Sequence, residues 1–307
     1  MNAAAPGPEV LAIVGPTASG KSSLALDVAR GRNVAGRLTE LVAIDAFTVY
    51  RGMDIGTAKP SIAERAEVPH HGIDLCAPSQ EVTVAWFQAE VRALIDGVLD
   101  RGATPLLVGG SGLYFRAVVD DLRFPPTDPA VRARLEHTWW ERPAAAHTHL
   151  QRLDPVAAAR IEPGNVRRTV RALEVIELTG EPFSAFADAW TRYASVFPGL
   201  RVAYLEPPTQ LLRDRIEQRA RAMVEAGLLD EVATLRAAPA GLSATAAKAI
   251  GYAEAAAVLD GEAPPDRLAE TIAKRTWGYA KRQRSWFRAD PRCTPTDPAA
   301  VLADWAP

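Results

Sequence analysis

The stretch GPTASGKS, running from Gly15 to Ser22, decides how the rest of the chain is read. An apolar run, VLAIV (Val10–Val14), leads into it, and a helix-like run, SLALDVAR (Ser23–Arg30), leads out. Glycine, four residues, then Gly-Lys-Ser is the spacing of a phosphate-binding P-loop. Gly15, Pro16, Thr17, Ala18, Ser19 and Gly20 supply backbone whose N–H groups can point at phosphate oxygens. The helix that follows adds its positive end. Lys21 brings a mobile cation, and Ser22 is placed to hold magnesium. The strand before and the helix after separate this loop from a chance Gly-Lys-Ser turn. The motif says that a phosphate is held. It does not say whose.

Outward from the loop, Glu9–Val14 reads as the first strand. Further buried strands are expected at ELVAID (Glu40–Asp45), TPLLVGG (Thr104–Gly110) and RVAYLEP (Arg201–Pro207). The run TVAWFQAEVRALIDGVLDRG carries Trp86, Phe87, Val91, Leu94, Ile95 and Val98 on one side, as an amphipathic helix does. Strands alternating with helices predict a parallel sheet covered on its faces. From about Asp120 to Pro198 no buried strand is evident. The runs DPAVRARLEHTWWE, DPVAAARIE and NVRRTVRALEVIELTG are helical, and two open with Asp-Pro, a good helix start. The core then resumes, with helices at TQLLRDRIEQRARAMVEAG, AAKAIGYAEAAAVLDG and PDRLAETIAKRTWGYAKRQRSWFR. The fold class is therefore α/β: a P-loop NTPase-like core over 1–117 and 199–307, a parallel sheet flanked by helices, with an all-helical insertion domain at 118–198.

A net charge of -2 does not advertise a nucleic-acid binder, so local clusters have to carry that question. Two cysteines, Cys76 and Cys293, stand far apart, which excludes a zinc-ligand spacing and fits a reducing compartment. The start, MNAAAPGPEV, lacks the pattern of a secretory signal, and no run has the length of a membrane span. A cytoplasmic enzyme without membrane contact is expected.

An NTPase usually has a second strand ending in an acid that holds magnesium. The best candidate here, PLLVGG, ends in Gly109 and Gly110. That weakens ATPase and GTPase readings but leaves small-molecule kinases open, with Asp45 as the second acid. In IDAFTVYRGMDIGTAKP (Ile44–Pro60), Asp45 falls at a strand end near the loop mouth, and Arg51 and Lys59 add positive charge. The plain alternative for Asp45 is an N-cap in a surface loop. Two basic clusters stand out. One is Arg160, Arg167, Arg168 and Arg171 in the insertion. The other is Lys274, Arg275, Lys281, Arg282, Arg284 and Arg288, without an acid among them. A solvated face explains either one alone; the two together favour RNA binding. Near the second cluster, Trp277, Tyr279, Trp286 and Phe287 are candidates for base stacking or for core.

The segments GPTASGKS, YRGMDIGTAKP, PLLVGGSGLYF, DPVAAARI, RALEV, RIEQRARAMVEAGLLDEV, AIGY and YAKRQRSWFR, in this order, resemble the tRNA dimethylallyltransferase family. The likeness runs from about Leu11 to Arg288. Without the C-terminal zinc finger of many eukaryotic members, the chain looks like the bacterial form. The resemblance implies transfer of a dimethylallyl group from dimethylallyl diphosphate to the exocyclic amine of the adenosine just 3′ of the anticodon. Diphosphate leaves, and Mg2+ is needed. It implies Asp45 as the acceptor of the amine proton, Thr17 near the bridging oxygen of the donor, and Arg219 as a catalytic arginine. Arg215, one helical turn away, is as readily a structural ion-pair partner.

The resemblance further implies a flipped adenine held by Asp45, Ala46, Phe47 and Thr48. Here the chain departs from the common Asp-Ser-Met-Gln: Ala46 lacks a hydroxyl and Thr48 replaces a longer amide. Contacts to the tRNA anticodon stem-loop are implied for Arg167, Arg168, Thr169, Val170 and Arg171, for Ser111 and for Arg132. Lys281 and Arg282 are expected to join them. Trp277 stands where relatives usually have arginine. His70, His71 and Asp74 match a family stretch without a catalytic role. A monomer needing no protein partner is expected. The competing readings are a small-molecule P-loop kinase, an adenylate isopentenyltransferase with a smaller insertion, and a non-catalytic RNA-binding protein that keeps a relic loop.

Overall fold

The computed structural model describes residues 8–186 and 188–306. It divides into two compact units: one runs up to Val119 and resumes at Ser195, and the other is Asp120–Ala194.

The first unit is built on a five-stranded sheet. In chain order it contains β1 (Glu9–Val14), α1 (Lys21–Val34), β2 (Thr39–Ile44), α2 (Ile62–Glu67), β3 (His70–His71), α3 (Val84–Asp100), β4 (Thr104–Gly109) and α4 (Gly112–Val119). After the second unit come β5 (Gly199–Tyr204) and α9 (Thr209–Glu225), with α10 (Leu228–Ala237), α11 (Tyr252–Leu259), α12 (Leu268–Ala289) and α13 (Pro298–Trp305). The helices α5 to α8 belong to the second unit. Strand order is β3-β2-β4-β1-β5, and each pairing is parallel. All of β1 from Val10 to Val14 is fully buried, as a parallel strand covered on both faces must be. Val10, Ala12 and Val14 face a core shared with α3, α9 and α12. Leu11 and Ile13 face another, shared with α1 and α13. At about 1.5–3 kcal/mol for each large apolar side chain, this burial anchors the strand that ends in the P-loop.

Elements at the sheet differ from expectation in instructive ways. The fourth predicted strand begins at Gly199 and stops at Tyr204 rather than at Pro207, because Pro207 and Pro208 offer no N–H to a ladder. The expected helix from Ala246 to Gly261 is broken: a short 3-10 turn, Ala246–Lys248, precedes α11, and Glu254 accepts the Gly251 N–H at 2.6 Å. The two-residue edge strand β3 was invisible because its pair of histidines has no strand pattern. Arg32 is 2% exposed and ties the amino-terminal end of the sheet together. It donates to Thr39, Thr104, Glu9 and the Trp305 carbonyl.

The second unit is helical: α5 (Pro129–Trp139), α6 (Pro143–Leu153), α7 (Pro155–Arg160) and α8 (Val166–Thr179), followed by two short 3-10 turns. Asp128 caps α5 by accepting the Ala130 and Val131 N–H groups, and Asp154 caps α7 through Ala157. Its core gathers Leu135, Leu150, Ala157, Ile161, Val170 and Leu173. Among the described residues no helix is long and apolar enough to cross a membrane.

Candidate active site

A cavity of about 840 Å³ opens at the carboxyl ends of β1, β2 and β4. In an open parallel sheet this is where loops from neighbouring strands converge. Thr17, Lys21, Asp45, Ser111, Arg219 and Gln283 all line it. A smaller space of about 420 Å³ shares Lys21, Ser22 and Arg219 and adds Arg215 and Gly20.

The P-loop is built to receive an anion. The Gly15 N–H reaches the Gly109 carbonyl at 3.3 Å, which ties the loop to β4. Ala18 (φ 61) and Gly20 (φ 92) lie in the left-handed region, a turn that glycine makes freely and alanine only at a cost. The helix after it, α1, has no side-chain cap and no acid in its first turn, so its leading N–H groups keep their positive end open. The Ser19 hydroxyl is buried without a partner. Both observations suit a phosphate and little else. Ser22 is exposed and borders both spaces.

Three charged side chains set the field. Burial, then Arg219, pull the Lys21 ammonium down to about 8, while Asp45 works the other way. Burial also lowers the Arg219 guanidinium, with Asp45 again opposing. Arg219 sits one turn beyond Arg215 on α9. Its Nη1 reaches the Thr17 hydroxyl at 3.4 Å, and Arg215 reaches the Ser19 carbonyl at 3.4 Å. Arg215 is thus bound to the loop backbone rather than ion-paired. Asp45 follows β2 directly, and its Oδ1 accepts the Phe47 N–H at 2.9 Å. This Asx-turn orients the carboxylate and leaves lone pairs available. Burial and then Asp45 push the phenols of Tyr114 and Tyr279 up to about 12, so both remain neutral near the acid.

Gln283 was missed as a site residue. It is 4% exposed on α12, accepts the Thr17 N–H at 2.9 Å and donates to the Gly110 carbonyl at 2.6 Å. It also explains the strand that lacks an acid. A Cβ on Gly110 would lie 2.6 Å from the Gln283 amide nitrogen and 3.4 Å from Lys21 Nζ. The signal lay in YAKRQRSWFR, a segment that carries the family likeness and in which the cations Lys281 and Arg282 stand just before the amide.

The positive charge expected in the DIGTAKP loop is structural. The Lys59 ammonium is 1% exposed and is held by Asp54, Asp74 and the Tyr50 carbonyl. Arg51 donates to the carbonyls of Asp74 and Leu75. Glu231 on α10 accepts the N–H groups of Asp54, Ile55 and Gly56 and the Tyr252 hydroxyl, which locks this loop to α11. His71 pairs with Glu40, and His70 reaches the Val68 carbonyl.

The residues expected to meet RNA separate into two sets. Ala46, Phe47, Ser111 and Arg282 line the cavity, and Lys281 is exposed on α12. Thr48 lines it too but is 8% exposed, with its hydroxyl turned to the Gly72 carbonyl at 3.4 Å. In the helical unit Arg167 and Arg168 are exposed, and Arg167 lies over the exposed Trp140 ring at 6.0 Å. Thr169 and Val170, by contrast, are buried, so their side chains face inward. Arg132 and Arg171 both grip the buried Glu174. Burial would raise that carboxyl, but the two arginines, the Asp128 N–H and Thr127 outweigh it and hold it at about 2. In the second cluster Arg284 and Arg288 share Glu206, and Arg275 pairs with Glu254. Acids from elsewhere in the chain neutralise them, which the local sequence did not reveal. Trp277 lies under Arg213 at 4.9 Å, Tyr279 lies under Arg282, and Phe287 is core.

A parallel sheet, an uncapped phosphate loop and Asp45 across one cavity define a P-loop-like α/β enzyme. The family model for IPP transferase matches residues 48–290. The chain is 47% identical over 294 residues to a tRNA dimethylallyltransferase of Kineococcus radiotolerans, covering 94% of this chain and 90% of that one. It is 47% identical over 285 residues to a tRNA dimethylallyltransferase of Bifidobacterium longum, covering 92% and 84%. Among solved structures, the full-length tRNA isopentenylpyrophosphate transferase of Bacillus halodurans superposes with a TM-score of 0.67 at 37% identity, over 97% of this chain and 94% of that one. A eukaryotic dimethylallyltransferase acting on tRNA superposes at 0.78 with 25% identity, over 96% and 76%. The chain belongs to the tRNA dimethylallyltransferase family, whose members are prenyltransferases.

Proposed function

We propose that this enzyme transfers the dimethylallyl group of dimethylallyl diphosphate to the exocyclic N6 amine of the adenosine 3′ of the anticodon in tRNA. The observation that carries this reading is that Asp45 and the P-loop, with Lys21 and Arg219, line one cavity. One wall suits a leaving diphosphate and the other an amine that must lose a proton.

The bond between the C1 carbon and the bridging oxygen breaks as the N6–C1 bond forms. The electron pair leaves on the diphosphate. The N6 proton passes to Asp45, whose Asx-turn aims it at the flipped base. Lys21, the α1 N–H groups, the Ser19 hydroxyl and Arg219 take up the charge that develops on diphosphate. Thr17, whose hydroxyl Arg219 reaches at 3.4 Å, is the residue that would face the bridging oxygen. Ser22, exposed at the edge of both spaces, is the residue that would hold magnesium, its hydroxyl being a hard oxygen donor of the kind that ion takes. Bound there, magnesium would neutralise the diphosphate. Arg167, Arg168, Lys281 and Arg282 are the exposed cations for tRNA phosphates. With both cysteines buried and neither in a disulfide, a reducing cytoplasm suits the chain.

Labelled dimethylallyl diphosphate incubated with magnesium and either unmodified tRNA or AMP tests the reading. Label on tRNA alone supports it. Label on AMP turns it to an adenylate isopentenyltransferase, and ATP-dependent phosphorylation of a metabolite without prenyl transfer turns it to a kinase.

A further inference from the structure

We infer that Gln283 is a positioning residue for the transfer step, a neutral amide clamp that sets Thr17 against the donor. The inference rests on the prenyl-transfer reading above. Gln283 reaches from α12 between the P-loop and the end of β4 and makes one bond to each: it accepts from the Thr17 N–H and donates to the Gly110 carbonyl. Neither partner can swap roles, since a backbone N–H only donates and a carbonyl only accepts. The orientation of the amide is therefore fixed.

The contact has three consequences. Thr17 N–H is engaged by Gln283, so its hydroxyl, which Arg219 already touches, is the group left to face the donor. A Cβ on Gly110 would lie 2.6 Å from the Gln283 amide nitrogen and push the amide off its two partners. And the position beside the loop where an NTPase keeps a magnesium-binding acid holds an uncharged group instead. A carboxylate there, next to Lys21, would oppose the diphosphate. Tyr279 and Ser111 line the same cavity as Gln283, so the clamp stands on the wall that faces the acceptor.

Two variants separate positioning from filling. Gln283→Met keeps the volume and removes both bonds. It should lower kcat about 10- to 100-fold while leaving the Kd for unmodified tRNA near wild type, with a modest fall in melting temperature from the two backbone groups left unpaired. Gln283→Glu can reproduce the clamp only when its carboxyl is protonated, accepting through one oxygen and donating through the other. Its activity relative to wild type should climb as pH falls from 8.5 to 6. A Gln283→Met enzyme with wild-type kcat, or a Glu/wild-type ratio flat with pH, overturns the assignment while leaving the prenyl-transfer reading intact. If Gln283→Met is unstable, the Glu series alone decides. A wild-type enzyme inactive on tRNA overturns both the reading and the clamp.

Discussion

Arg219 on α9 and Thr17 in the P-loop meet at 3.4 Å across the cavity, though they are 202 residues apart in the chain. The contact brings a buried guanidinium to the residue that the P-loop pattern itself leaves unassigned. It also places a second cation beside Lys21.

That neighbour is one reason the Lys21 ammonium falls to about 8. The charged form is the one that attracts diphosphate. Diphosphate affinity should therefore hold below pH 8 and weaken above it, approaching about tenfold per unit where only the protonated form binds. Bound anion pulls the group back up, so binding above pH 8 takes up a proton. Arg219→Gln removes one lowering cause and should move the decline to higher pH. Calorimetry with inorganic diphosphate between pH 7 and 9.5 reads both effects; a flat profile would count against Lys21 as the anion partner.

Asp45→Asn preserves the acceptor for the Phe47 N–H and removes the charge. Turnover should drop by about 10²–10⁴-fold, with tRNA affinity within a few-fold of wild type. Single-turnover prenyl transfer alongside filter binding makes the comparison. A fully active Asn variant would remove Asp45 from the mechanism.

Arg167 and Arg168 are exposed, whereas Arg132 and Arg171 hold Glu174. Replacing the first pair by alanine should weaken tRNA binding and reduce the slope of log K against log salt by about 1.5 to 2. Thermal stability should change little. An unchanged slope would show that these arginines meet no phosphate.

Glu174→Ala leaves Arg132 and Arg171 without their shared carboxylate. It should destabilise the helical unit by about 3–5 kcal/mol, read by denaturant melts followed at Trp139 and Trp140. The pH sign is fixed by the same group. Its folded pKa, about 2, lies below the ordinary value of 4.5. Its contribution is complete above pH 4.5 and disappears as pH falls toward 2. The Ala variant should lack that part of the acid sensitivity, and identical acid profiles for the two proteins would contradict the assignment.

Glu231→Ala removes the acceptor for three backbone N–H groups and one hydroxyl. A fully buried group left without a partner costs about 1–3 kcal/mol; these exposed and part-buried groups can turn to water, so a loss of about 1–3 kcal/mol in all is expected. Faster hydrogen exchange at Asp54–Gly56 should accompany it. Wild-type exchange there would mean that the loop is held by something else.

Local sequence determined four of the five strands, the phosphate loop, the helical insertion and Asp45 at a strand end. Each depends on short-range order: apolar runs long enough to be buried, glycines at turns, Asp-Pro at helix starts. The family likeness added Thr17 and Arg219, because their motifs are contiguous. Tertiary structure decided which charges are available. Glu174, Glu206 and Glu254 claim arginines that looked unpaired along the chain, and Lys59 disappears into Asp54 and Asp74. It also turned Thr169 and Val170 inward and brought Gln283 to the loop. Apart from the local pairs Lys59–Asp54 and Arg171–Glu174, these ion pairs and the amide clamp join residues tens to hundreds of positions apart. Their partners are set by the packing of helices on the sheet, which spacing along the chain does not encode.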